Sequence, residues 1–282
     1  LTVSNIPARL YGSLLTEAVN RQHPKLIVVD IDGFINDEDT EKLEANLRKW
    51  IDNMPWSRNR IETIRTCVPA ELQSSFYFNI AKYHANWYQV DSWLPVQRRL
   101  RAMDKTGYSL SKGVETVCKS LPADFVPDVR PLTLSGANAQ YLRDFCAQVQ
   151  SIGTDVLFLR TPHRTQTTDP NVFNDVAAVV GEYGYELLDL HDAFDTIGLD
   201  RCADFIDSDH LNTIGMEKFT VWFGQYLTGR YDLTGAHSEA VTAEWERCAD
   251  FAAQTLPLCK ELAAENTNQN LNEFSAVFEA YR

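Results

Sequence analysis

Lys25-Leu26-Ile27-Val28-Val29-Asp30-Ile31 is a short β-branched run with no polar alternation. That pattern suits a strand buried on both faces, as in a parallel sheet covered by helices. The flanking segments have helical spacing. Leu10, Leu14, Leu15 and Val19 keep helical spacing after Pro7, and Leu43, Leu47, Trp50, Ile51 and Met54 form a second stripe behind a run of acids suited to a helix N-terminus. Two more apolar runs repeat the arrangement. Asp155 to Leu159 (DVLFL) follows a helix expected between Ser135 and Gly153, and Tyr185 to Leu190 (YELLDL) follows one expected over Pro170 to Tyr183. Strands separated by helix-length segments call for right-handed crossovers, so the predicted class is α/β, a parallel sheet with helices on both faces.

Elsewhere the pattern is less regular. Ser57 to about Leu94 reads as helical and aromatic, while Val96 to Leu134 carries turn signals at Lys105 to Gly107 and Ser111 to Gly113 and three prolines between Leu121 and Pro131. A helix expected after Asn212 places Met216, Phe219, Trp222, Phe223, Tyr226 and Leu227 on one face, read as core. From Gly235 onward the pattern is helix alone, with Val241, Trp245, Cys248 and Ala252 as its stripe.

Composition narrows the function classes. The chain has 282 residues, 44% hydrophobic, and its 39 acids against 26 bases give a net charge of −13. Such a balance offers no field for phosphate backbones or anionic lipid, so nucleic-acid and polybasic membrane binding are not expected. Its six cysteines have no zinc-knuckle or CxxC spacing. No apolar run approaches the roughly 18 residues of a spanning helix.

The richest segment for chemistry is Asp204-Phe205-Ile206-Asp207-Ser208-Asp209-His210-Leu211-Asn212-Thr213-Ile214-Gly215. Asp207 stands three residues before His210, a spacing at which a carboxylate can hold one imidazole nitrogen while the other accepts a proton. The same acids have plainer uses. Asp207 or Asp209 could cap the following helix, and Asp204, Asp207, Asp209 and His210 have the residue types of a metal site, although no metal is expected.

This segment, continued as DFIDSDHLNTIGMEKFTVWFGQYL, resembles the last signature block of the SGNH/GDSL hydrolase superfamily: Asp-x-x-His-Leu, then Asn, then Gly at the start of the final helix. DVLFLRTPHR and YELLDLHDAF resemble the back half of that flavodoxin-like fold. HPKLIVVDIDGF and YHANW are similar to the extracytoplasmic branch linked to cell-envelope or exopolysaccharide acylation, which includes D-alanyl-transfer and alginate O-acetylation proteins. The resemblance spans Pro7 to Leu233. It implies an SGNH-like domain over 1–233 with a helical or irregular insertion at about 55–134, and a helical extension over 234–282.

The resemblance implies a Ser-His-Asp esterase or O-acyltransferase, with His210 as base, Asp207 as its orienter, no cofactor, and a glycan or small acyl ester as substrate. It further implies an extracytoplasmic setting, envelope acyl-transfer partner proteins and an upstream membrane anchor. The family's nucleophilic serine follows the first strand. Gly12-Ser13 and Ser135-Gly136 both read as structural, so that serine is expected upstream of Leu1. Gly33 and Asn36 are candidate oxyanion donors, although their spacing departs from the family's Gly-x-Asn-Asp; His84 and His163 are candidate pocket residues. His23, His191 and His237 read as exposed or capping. Two alternatives remain: a non-catalytic SGNH-like binding or scaffold domain, and a magnesium-dependent phosphatase. The latter rests on Asp30-Ile31-Asp32-Gly33, which resembles the first motif of haloacid-dehalogenase-type enzymes, with Asp189 and Asp192 as the nearest downstream acids.

Overall fold

The central strand of the sheet is the DVLFL run, extended by one residue. In the computed structural model, which describes residues 6–36, 40–78, 117–235 and 237–264, β1 (Leu26–Asp30) pairs in parallel with β3 (Asp155–Arg160), and β3 pairs in parallel with β5 (Leu187–Asp189). The order β1-β3-β5 makes the molecule α/β. Two short strands, β2 (Val129–Arg130) and β4 (Gln166–Thr167), form a separate two-stranded sheet, and β2 falls within the stretch expected to be irregular.

The described residues fall into two compact units. The first lies within 1–94, 130–161 and 167–189, and the second within 95–129, 162–166 and 190–282. Residue 233, the expected end of the first domain, lies inside the second.

In the first unit the helices are α1 (Tyr11–Gln22), α2 (Asp32–Ile35), α3 (Leu43–Ile51), α4 (Arg58–Cys67), α5 (Gln73–Tyr77), α6 (Gly136–Ile152) and α7 (Val172–Gly181). Alternate residues of a strand face opposite sides, so burial reads out the layers. Phe158 on one face is 0% exposed, packed with Val29, Ile31, Phe34, Phe145 and the α7 valines; on the other, Leu157 and Leu159 are also buried. The strand expected to be buried on both faces departs from that pattern. β1 is an edge of the described sheet, and Val28, in register with Leu157, is 40% exposed because its face continues less far than that of β3.

Local signals act as read. Ser135 caps α6 by accepting from the Asn138 amide at 3.3 Å, and Gly153 ends it at φ 75°. A second apolar cluster joins Leu10 to Leu47, Trp50, Ile51, Ile64 and Phe76. Arg48 is buried beside it, with its guanidinium on Glu44 and Ser75 and over the Phe76 ring at 4.0 Å.

The second unit contains α8 (Phe194–Ile197), α9 (Thr213–Arg230) and α10 (Glu239–Ala264). The aromatic face of α9 is stacked, with Phe219 on Phe223 at 5.3 Å and Trp222 on Tyr226 at 5.4 Å. It is only partly buried, and Gly215 is the buried residue of the helix, which corrects the reading of this face as core. No helix among the described residues is long and apolar enough to cross a membrane.

Candidate active site

The segment 204–215 builds its geometry on backbone closure. Phe205 and Leu211 form an antiparallel bridge, and the Ile206 amide donates to the His210 carbonyl at 3.0 Å, so residues 207–210 are a tight projecting loop. Asn212 then anchors the loop to α9. It is fully buried; its side-chain oxygen accepts from the Ile214 and Gly215 amides, and its Nδ2 donates to the carbonyls of Ala203 at 2.6 Å and Lys119 at 3.2 Å. Gly215 is required by contact, since a Cβ there would collide with the Asp204 carbonyl oxygen. The helix cap is therefore Asn212, and Asp207 and Asp209 are released for other uses.

Asp207 uses its carboxylate on its own loop. Oδ1 accepts from the Asp209 and His210 amides, each at 2.8 Å, and both carboxylate oxygens lie 2.9 Å from His210 Nδ1. Burial pulls this carboxyl upward, but the Asp209 amide and the His210 ring and amide together hold it below the usual carboxylate range. An ionised Asp207 can only accept, so Nδ1 carries the hydrogen that faces it, and in the neutral ring the lone pair is left on Nε2. The His210 side chain is 67% exposed.

The loop after β3 braces this turn. Ser208 carbonyl oxygen accepts from the Arg164 and Thr165 amides at 2.6 and 3.0 Å, the buried Thr165 hydroxyl donates to the Asp209 carboxylate, and Ser208 Oγ accepts from the Asp128 amide at 2.9 Å. His163 is buried with its ring 4.6 Å from that of His191, so it is not a surface residue, and His191 is partly buried rather than exposed. His23 and His237 are exposed, His23 as the left-handed cap of α1. Thr165, Ser208 and Asp128 carried no signal in the sequence, because their partners lie about 40 to 80 positions away in the chain.

In the first unit a separate cluster ends the strands. Asp30 Oδ1 accepts from the Asp32 amide at 2.9 Å, Oδ2 accepts from the Thr161 hydroxyl at 3.2 Å, and the Tyr11 hydroxyl donates to the Asp30 carbonyl oxygen at 3.2 Å. Burial pushes the Asp30 carboxyl up, against the pull of those two donors. Gly33 packs so closely on Tyr11 that a Cβ would meet the ring at 2.7 Å, and its amide faces the Tyr11 hydroxyl. Asn36 Nδ2 donates to the Asp32 carbonyl at 2.8 Å, the placement of a turn asparagine. Asp189 lies on Arg160, 3.1 Å away, with that guanidinium 3.3 Å from the Phe173 ring centre. It is thereby committed to an ion pair, and Asp192 is exposed. His84 lies outside the described residues.

Of the four side chains considered for a metal, Asp207 and His210 take each other, while Asp204 takes Lys218 at 2.6 Å and Asp209 takes Thr165. Among the described residues no three His, Cys, Asp or Glu side chains converge to hold a metal ion. The arrangement can orient an imidazole and receive a proton at its outer nitrogen. No protein-family model, curated protein or solved structure matches this chain.

Proposed function

We propose that Asp207 and His210 are the orienter and general base of a Ser-His-Asp acyl-transfer site. The chain then acts as an SGNH-type esterase or O-acyltransferase on acyl esters of cell-envelope or exopolysaccharide glycans. The observation that carries this reading is the bidentate approach of Asp207 to His210 Nδ1 on an exposed loop. A carboxylate on one imidazole nitrogen of an exposed ring is the arrangement a general base requires. The adjacency of β1, β3 and β5 supports the finer class, since the last three strands of the flavodoxin order 2-1-3-4-5 are neighbours in the same sense.

In such a site His210 Nε2 takes the serine proton as the hydroxyl attacks the ester carbonyl. Asp207 stabilises the imidazolium that forms, and the acyl-enzyme passes its acyl group to water or a sugar hydroxyl. The reading requires a serine nucleophile. It is tested on the full-length protein with a serine-directed fluorophosphonate and an O-acetylated glycan: labelling and deacylation are expected, both reduced in His210→Ala. Turnover unchanged in that variant overturns the assignment of the base.

A further inference from the structure

Beyond the dyad, the second unit holds three buried thiols that the acyl-transfer reading does not use, Cys118, Cys248 and Cys259, and two of them share one apolar cluster. All six cysteines are reduced in the structure, but Cys118 and Cys259, at 6% and 0% exposure, pack in one apolar cluster with Leu262. They join distant parts of the chain. Cys259 is on α10, whereas Cys118 lies in the 117–121 segment that borders the dyad-bearing loop.

That segment is fastened to the loop at several points. Val117 exchanges hydrogen bonds with Thr213, its amide donating to Oγ1 at 3.0 Å and its carbonyl accepting from the Thr213 amide at 2.9 Å; Lys119 carbonyl accepts from Asn212; Leu121 amide donates to the Cys202 carbonyl at 3.0 Å.

We propose that Cys118 and Cys259 are a redox pair that closes to a disulfide and staples α10 to the segment bracing the His210 loop. The oxidant is an external disulfide, either a small-molecule disulfide or an oxidised dithiol protein. Cys118, the more exposed of the two, loses its proton and attacks that disulfide, forming a mixed disulfide and releasing one thiolate, which takes up the proton. Cys259 then attacks Cys118 Sγ, giving the Cys118–Cys259 bond and releasing the second external thiol with the Cys259 proton. Two cysteines are oxidised by two electrons and one external disulfide becomes two thiols.

Burial raises both thiols, Cys118 to about 12, so at neutral pH the pair reacts slowly and through local opening. Pro257, inside α10 two residues before Cys259, lacks the amide that would close the helix there and gives that opening a place to start. The staple is independent of the hydrolase reading.

The test uses the full-length protein equilibrated in buffers of oxidised and reduced glutathione, denatured, alkylated and digested. Expected are the loss of two alkylatable thiols and a linked peptide joining Cys118 to Cys259, absent in Cys118→Ser and retained in Cys67→Ser. Oxidised wild type is expected to melt about 5–10 °C above reduced wild type, because the bond closes a long loop. Alkylation of both Cys118 and Cys259 at every ratio, a different linked pair, or a stable glutathione adduct on either residue overturns the proposal. The comparison of oxidised with reduced wild type depends on no variant.

Discussion

Asp30 and Asp207 are the same residue in opposite surroundings. Asp30 ends β1 in the unit built around the sheet, where burial raises its carboxyl while Thr161 and Asp32 satisfy its two oxygens. Asp207 sits in an exposed loop of the other unit, where two amides and an imidazole outweigh burial and hold it ionised. The same carboxyl group is shifted in opposite directions by its surroundings, and Asp207 is the one paired with an exposed imidazole.

The sharpest way to break this contrast is at His210. Its replacement by alanine is expected to lower deacylation at least roughly a thousandfold, as loss of a triad base does, whereas Asp30→Asn leaves turnover intact. Steady-state kinetics on both variants checks this; magnesium-dependent phosphatase turnover lost in Asp30→Asn would transfer the chemistry to the first unit.

Next in size is the core of the sheet unit. Phe158 contacts the rings of Phe145 and Tyr185 at 6.1 and 5.7 Å and is fully buried, so Phe158→Ala is expected to cost about 3–5 kcal/mol in urea denaturation. The loop unit depends on hydrogen bonds instead. Asn212→Ala removes the cap and leaves the Ala203 carbonyl and two helix amides without their partner, an expected loss of about 2–3 kcal/mol. Faster hydrogen exchange at the Ile214 and Gly215 amides is the specific readout; unchanged protection there would show that Asn212 does not hold the loop.

The smallest effects have opposite signs in the two units. Asp207 is depressed when folded, so its contribution is complete above the ordinary aspartate value of about 3.9 and is lost as pH falls through the lower folded value. Asp30 is raised, so the unfolded chain ionises first as pH climbs past about 3.9, and stability falls until the higher folded value is passed. Asp30→Asn is thus expected to raise stability at neutral pH and to flatten this acid-side slope, while Asp207→Asn lowers it slightly. Denaturation midpoints from pH 3 to 7 decide between these signs.

Much of the architecture was legible in local pattern. The runs at residues 25–31, 155–159 and 185–190 all became parallel strands, and Ser135 and Gly153 became the caps of α6. Burial was harder to read, because Val28 and Leu157 have the same kind of sequence neighbourhood but only one lies in the central strand. The stacked face of α9 misled for the same reason: an aromatic stripe tells which side packs and leaves its depth undetermined. At the site, the Asp207 to His210 spacing was visible. The capping role of Asn212 and the bracing by Thr165 and Ser208 were not, since each depends on partners from other segments.

By itself the sequence determined the α/β alternation, the acidic surface and the three-residue interval that lets a carboxylate reach an imidazole, because these follow from backbone periodicity and charge count. Tertiary structure alone decided which aspartate is buried, which residue caps α9 and which thiols meet. Those outcomes depend on chain segments far apart in sequence closing around a side chain, and local pattern carries no record of that closure.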